Sequence, residues 1–512
     1  MFLARVMSAK YPRSKVRAAL PQGWDSILDE LLHAQSGEEW DQQQYHHSIM
    51  DALIDTGSGD SFIEALAALI KRLAVDRLHV VGDIFDRGPR ADTVMDILMN
   101  HHSIDIEWGN HDALWMGAAA GSRVCIAGVL RNSLSYNNTE ILERGYGIPL
   151  GMLMLYAGKL YPELQPEKAG LKAITTIMFK LEGQLIRRNP DFGMEDRLLL
   201  DKVDPEKCTV KADGREWPLK ELNLPTVNWQ DPYALTPEEE QVMSGLRTAF
   251  LQSIRLRQHI TFLYSRGWLY RCYNGNLLFH GCIPLAEDGS FLTKTFGGKE
   301  YAGKALMDYA DQRARRAFYF GRQEDLDFMW YLWCGTESPL CGRNIKTFAR
   351  AMVADEEAWQ EPRNPYYEYC QTAEKCQEIL NEFGLPGEES RIINGHTPIR
   401  VTHGESPLKA GGKLIVIDGG FCRAYQKTTG IAGYTLIANS HGMRLMSHQP
   451  FTSRRDALNT DRDIMSQSFQ FAVYPERRLV RDTDNGRRLQ ERMEDLRALL
   501  QACRDGRITL QK

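Results

Sequence analysis

The run Leu78-His79-Val80-Val81-Gly82-Asp83-Ile84-Phe85-Asp86-Arg87-Gly88 decides how this chain is read. A short, mostly apolar stretch stops at a glycine and a carboxylate. That pattern predicts a buried strand that breaks into a loop at Gly82-Asp83. A helix-like stretch follows, with Val94, Ile97 and Leu98 as its apolar positions. A second strand, Ile104 to Trp108, then ends at Gly109-Asn110. Strand, helix and strand in that order predict an α/β layer. The same ending recurs downstream. Leu277-Leu278-Phe279 stops at His280, Arg391-Ile392-Ile393-Asn394 at Gly395-His396, and Leu414 to Ile417 at Asp418-Gly419-Gly420.

At four of these places the strand runs into a side chain able to bind metal: Asp83, Asn110, His280 and His396. In open α/β sheets, sites form in the crevice beyond the carboxyl ends of the strands, where residues distant in sequence can converge. Oxygen and imidazole donors without a thiolate suit a divalent ion such as Mn, Fe or Zn.

Moving outward, residues 1–75 read as a helical lead-in. Ser61 to Glu64 has capping-box spacing, followed by Phe62, Ala65, Leu66, Leu69 and Leu73 on one face. Residues 76–130 form the first part of the α/β core and 271–450 the second. Between them, 131–270 read as a mainly helical insert. In it Ile174, Met178, Leu181 and Leu185 keep helical spacing. Thr236-Pro237-Glu238-Glu239 supplies a cap, a proline at the first helical position and a capping glutamate. The five prolines within 189–235 predict an extended surface excursion. Residues 451–512 read as a helical tail, with Leu489, Met493, Leu496 and Leu500 as an apolar stripe.

Composition narrows the function class. The chain has 512 residues, 43% hydrophobic and 25% charged, with 62 Lys+Arg against 67 Asp+Glu and a net charge of -5. That balance argues against global disorder or a fibrous chain, and it lacks the basic excess of nucleic-acid binders. No run approaches the ~18–20 uninterrupted apolar residues of a membrane helix. Met1 to Lys10 has no apolar core and does not read as a signal peptide. Ten scattered cysteines without a CxxC pair predict reduced thiols, and the cytoplasm is the expected compartment.

The motifs carry a resemblance. Gly82 to Gly88 is a GDxxDRG motif and Gly109-Asn110-His111-Asp112 a GNHD motif. With His280-Gly281 and Gly395-His396-Thr397-Pro398 they stand in the order of the calcineurin-like metallophosphoesterases, which the chain resembles. The resemblance implies that Asp83 bridges two ions and that Asn110, His280 and His396 complete the shell of one. Two ions ~3.5–4 Å apart can clamp a phosphoryl group and activate the attacking water. His111 would protonate the leaving alkoxide, Asp86 would orient and charge-stabilise His111, and Arg87 would grip two phosphate oxygens with its planar fork.

Other segments are more specific. Lys10 to Arg17, Trp108 to Asp112, Leu114 to Gly121, Tyr273 to Pro284, Tyr331 to Gly335, Asn364 to Tyr367, Ile417 to Phe421 and Ala424 to Tyr434 resemble the class III fructose-1,6-bisphosphatases of bacteria. That implies hydrolysis of the 1-phosphate of fructose 1,6-bisphosphate to fructose 6-phosphate, a gluconeogenic step, with Mn2+ as the usual ion. The implied fold is a four-layer-type α/β sandwich: two packed mixed sheets flanked by helices, with the helical insert and tail. The expected partner is a small-molecule sugar bisphosphate, with neither nucleic acid nor membrane, and a homo-oligomer is a possible state. Arg423 and Lys427, in a Gly-bounded loop, are candidates for the second phosphate; a solvated loop explains them equally well.

The family pattern opens with an Asp-x-His element that holds the other ion, and residues 1–82 contain none. The expectation is a chain lacking that N-terminal section, with an incomplete second metal site and weak or absent turnover. The rival readings are another phosphomonoesterase or protein phosphatase of the same superfamily, and an inactive remnant that binds one metal. His280 and His396 could also be satisfied core histidines. Asp418 fits a role behind the metal ligands or a plain strand-end turn about equally.

Overall fold

A computed structural model describes residues 1–33, 40–418, 420–460 and 466–508. Gly419, in the expected strand-end turn, lies outside the described residues, as do 34–39 of the lead-in and 461–465 and 509–512 of the tail. The chain divides into two compact units, Met1–Val80 with Asn100–Asp105, and Val81–Met99 with Ile106–Lys512.

The first unit is built from the helices Phe2–Ser8, Arg13–Ala19, Asp25–His33, Trp40–Asp55 and Gly59–Ala74. Phe62, Ala65, Leu69 and Leu73 recur on one face of the last helix and share a core with Val16, Leu28 and Leu31. The expected cap at Ser61 is displaced. The chain reverses at Gly57 (φ 67°), so the helix starts directly afterwards with Ser58 at its N-cap, and Ser61 falls in the first turn.

The second unit centres on a five-stranded sheet. Its order is Leu408–Lys409, Leu414–Val416, Arg391–Asn394, Asn276–Phe279 and Tyr270–Tyr273. The three middle strands are parallel and the two edges antiparallel. This register places the site. Ile393 lies opposite Leu278, and Asn394 opposite Val416, so the three parallel strands deliver His280, His396 and Asp418 at the same edge. Leu278, Ile393 and Ile415 form the core of this sheet, with Val81, Ile417 and Leu436 packed on it. Ile104–Glu107 pairs in parallel with Gly267–Trp268 through Ile106 and Glu107.

Helices surround these strands. Asn110–Ala119 is buried on nearly every side. Pro166–Arg188 buries Ile174, Met178, Leu181 and Leu185 at the expected spacing. Thr236 caps Pro237–Gln252 as its sequence predicts. Its side chain accepts the Glu239 N–H at 3.2 Å, and the Glu239 carboxylate accepts the Thr236 N–H at 2.8 Å. That glutamate also pairs with the fully buried Lys180, Nζ to Oε2 at 2.8 Å.

Three local expectations are corrected. The segment 189–235 is not simply extended: Val203–Asp204, Thr209–Ala212 and Arg215–Pro218 form an antiparallel sheet. Asp213-Gly214, with φ of 50° and 75°, makes the two-residue turn that an Asp-Gly pair favours. In the helix Ala91–Met99, Val94 and Ile97 are exposed while Asp92, Met95 and Leu98 are buried. The buried face is turned toward Asp92, whose carboxylate meets Arg90 at 3.0 Å and Arg255 at 2.9 Å. The tail is not wholly helical. Ser466–Val473 joins Gly433–Asn439 and Gly442–His448 in an antiparallel sheet, and the stripe of the helix Asp484–Arg504 is exposed.

No helix among the described residues is long and apolar enough to cross a membrane. None of the ten cysteines is in a disulfide, and six are buried.

Candidate active site

Two loops meet where the strands end. Gly82 has φ of 90°, and a Cβ there would lie 2.6 Å from the Glu107 carbonyl oxygen and 2.8 Å from the His280 ring. A Cβ on Gly109 would collide with the Asp83 carboxylate. Both glycines are required because the two loops touch backbone to backbone. Asp112 ties them together. Its carboxylate accepts the N–H groups of Asp83 (2.8 Å), Phe85 (3.1 Å) and Gly109 (2.9 Å). Burial, and then the neighbouring Asp83 charge, push the Asp112 carboxyl up to about 6.

The candidate ligands converge on this frame. Asp83 Oδ2 lies 3.2 Å from His280 Nε2, which is 3.2 Å from His396 Nδ1. Asp83, His280 and His396 each offer a ligand atom within 4.8 Å of the others. His280 Nδ1 lies 2.6 Å from the Val81 carbonyl oxygen. Donation there turns Nε2 toward Asp83 and His396, the orientation an imidazole takes when its other nitrogen is held by a backbone carbonyl. Burial pushes His280 down, but the Asp83 carboxylate outweighs it and raises the imidazole to about 9. Burial and the neighbouring His280 hold His396 well below the usual histidine range. For Asp83, burial opposes ionisation, yet the facing imidazoles prevail and hold the carboxyl well below its usual range. Asp83 (φ 57°) and His396 (φ 68°) also occupy the left-handed region that non-glycine residues avoid, a strain typical of functional sites.

Two buried atoms test the fit for a cation. His396 Nε2 and Asn110 Oδ1 have no hydrogen-bond partner among the described residues, although Asn110 Nδ2 donates to the Trp333 carbonyl at 3.2 Å. Uncompensated buried polar atoms beside a carboxylate are costly unless a ligand satisfies them. The donor set of carboxylate, imidazole and carboxamide fits a divalent metal.

A second cluster adjoins the first. His111 Nε2 lies 3.0 Å from Asp86 Oδ1, and its ring meets Trp333 edge-on at 4.6 Å. The His111 backbone N–H donates to Asp83 Oδ1 at 3.1 Å, which couples the two clusters. Arg87 stands beside Asp86, Nε to Oδ1 at 3.7 Å. Asp418 is half-buried at the same edge, where desolvation first and the Asp83 charge raise its carboxyl to about 6.

The two low-specificity candidates lie on the helix Arg423–Thr429. Arg423 is exposed and donates to the Thr452 carbonyl at 3.1 Å, and Lys427 is exposed. The residue that this helix brings onto the cluster is Tyr425, which the sequence reading missed. Its hydroxyl donates to Asp86 Oδ2 at 2.6 Å across 339 residues of chain. Tyr425 stood inside the Ala424 to Tyr434 stretch, but nothing local marked its partner. Asp112 was likewise visible in the GNHD motif without a role.

These features define an α/β protein with a carboxylate–imidazole cluster able to hold a metal beside a histidine–aspartate pair. A family model described as Firmicute fructose-1,6-bisphosphatase matches residues 1–505. A Clostridium tetani protein named fructose-1,6-bisphosphatase class 3 is 46% identical, covering 99% of this chain and 80% of its own length. The protein of that name from Listeria monocytogenes (strain F2365) is also 46% identical, covering 98% and 81%. The chain belongs to the Firmicute fructose-1,6-bisphosphatase family. No solved structure matches it.

Proposed function

We propose that this chain hydrolyses the 1-phosphate of fructose 1,6-bisphosphate to fructose 6-phosphate and phosphate, in the cytoplasm, on a metallophosphoesterase-type sandwich of two packed mixed sheets. The observation that carries the reading is the joining of the Asp83–His280–His396 cluster to the His111–Asp86 pair through the His111 N–H. The family membership selects the sugar bisphosphate among phosphomonoesters.

Asp83, Asn110, His280 and His396 hold a divalent ion, proposed to be Mn2+. When bound, it supplies Lewis-acid stabilisation of phosphoryl charge. Arg87 pairs with phosphate oxygens through its guanidinium. His111 gives a proton to the departing sugar oxygen, and Asp86 holds the ring at the right tautomer and angle. Arg423 and Lys427 lie on the helix that carries Tyr425 and are proposed to meet the second phosphate.

Phosphate release from a panel containing fructose 1,6-bisphosphate, p-nitrophenyl phosphate and a phosphoserine peptide, with Mn2+ present, tests the reading. The sugar bisphosphate should turn over fastest and leave fructose 6-phosphate. Preference for the peptide overturns it. Asp83 is shared by two groups of candidate ligands, one with His280 and His396 and one with Asp86 and His111. Calorimetric titration with Mn2+ counts the ions held, and binding of at least one per chain is expected.

A further inference from the structure

The Arg87 guanidinium is not held by a carboxylate fork. Its nearest ion-pair partner, Asp86, is 3.7 Å away, and its buried Nε has no hydrogen-bond partner among the described residues. Two aromatic rings hold it instead. Its central carbon lies 4.7 Å from the Tyr136 ring and 4.7 Å from the Tyr425 ring. Ring faces attract a guanidinium without consuming its N–H groups, which stay available to an anion. Arg87, Tyr136, Asp86 and His111 line one small cavity together with Asn132 and Asn138, which places the Arg87–Tyr136 stack beside the His111–Asp86 pair.

Tyr425 makes a second contact that Tyr136 lacks. Its hydroxyl donates at 2.6 Å to one Asp86 oxygen while the other oxygen faces His111 at 3.0 Å. Burial, and then the Asp86 charge, push the phenol well above its usual range, which keeps it a donor. A hydrogen bond to a charged acceptor in a buried site is strong and directional.

We propose that Tyr136 and Tyr425 are positioning residues: both set the Arg87 fork for phosphate, and Tyr425 also aims the Asp86–His111 pair. The proposal rests on the phosphatase reading above. It predicts a division of labour that mere packing does not. Tyr425→Phe keeps the ring and removes the hydroxyl. Its kcat should fall about tenfold, the value of one charge-assisted hydrogen bond, while KM and the inhibition constant of inorganic phosphate hold. Tyr136→Leu removes a ring and should raise KM and the phosphate inhibition constant about threefold with kcat unchanged, whereas Tyr136→Phe restores both. Tyr425→Leu should show both defects together.

The experiment runs this set on the full chain with Mn2+, using fructose 1,6-bisphosphate and p-nitrophenyl phosphate in parallel, with calorimetry of inorganic phosphate binding. Unchanged kcat in Tyr425→Phe, or equal phosphate binding by Tyr136→Leu and Tyr136→Phe, overturns the proposal. If the wild type cleaves only p-nitrophenyl phosphate, the sugar-bisphosphate reading fails while the variants still decide the tyrosine roles. If neither substrate turns over, the calorimetry decides: Tyr425→Leu and Tyr136→Leu must weaken phosphate binding and the Phe variants must not.

Discussion

The edge of the five-stranded sheet and the helix Asp484–Arg504 are opposite in kind. At the sheet edge polar groups are buried: Asn110, Asp112 and His280 are each less than 5% exposed. Along the helix apolar groups are open, with Leu489, Met493, Leu496 and Leu500 all more than half exposed. Burying polar groups costs free energy unless they are hydrogen-bonded or ligated, so a fold that keeps them buried must answer each one. Asp112 is answered by three backbone N–H groups, whereas His396 Nε2 and Asn110 Oδ1 are left for a ligand. An exposed apolar stripe loses only the burial it could have had. Unusual burial therefore marks chemistry more sharply than periodicity marks packing.

The contrast can be broken most forcefully at Asp83. Asp83→Asn removes the charge that gathers three imidazoles, and turnover should fall by about 1,000-fold, ~4 kcal/mol of barrier, together with Mn2+ binding measured by calorimetry. Near-normal Mn2+ affinity in that variant would mean the cluster is structural. Next comes the core beneath the edge. Leu278→Ala should cost about 3 kcal/mol, read as a lowered denaturation midpoint, because the strand is sealed on both faces. Gly109→Ala should cost about 2 kcal/mol, since the new methyl meets the Asp83 carboxylate and the loops must part. Its Mn2+ affinity should drop with its stability, and a stable variant with intact binding would show that the loop contact is dispensable. The smallest effect belongs to the tail, where Leu496→Ala should change stability by no more than about 0.5 kcal/mol. A loss comparable to that of Leu278→Ala would mean that the stripe is covered in solution.

Some elements were legible because their signals are local. Arg391–Asn394 matches its expected bounds, and Leu78–Val80, Ile104–Glu107 and Leu414–Val416 each stop one residue before the expected end. The Thr236 cap also emerged as read, and His111 and Asp86 stand 3.0 Å apart. Other features failed for a common reason. The helix Ala91–Met99 carries apolar residues on more than one side, and its rotation was settled by Arg255, far along the chain. At Asp213-Gly214 the dipeptide is itself a hairpin turn signal, set among prolines that point to extended chain. Arg423 and Lys427 carry the charge on their helix, while the neutral Tyr425 between them makes the contact with Asp86.

The sequence by itself determined where strands stop, which side chains stand at their ends, and the family to which those motifs belong. Steric limits on the backbone and the period of apolar residues act over a few positions, and both are written in the local chain. Only the tertiary structure decided that three parallel strands open on one edge, that His280 and His396 meet there, and that Tyr425 closes on Asp86 from 339 residues away. Those outcomes depend on register and on packing between distant segments. A side chain's partner across such a distance is chosen by the assembled core, and no short stretch of residues carries it.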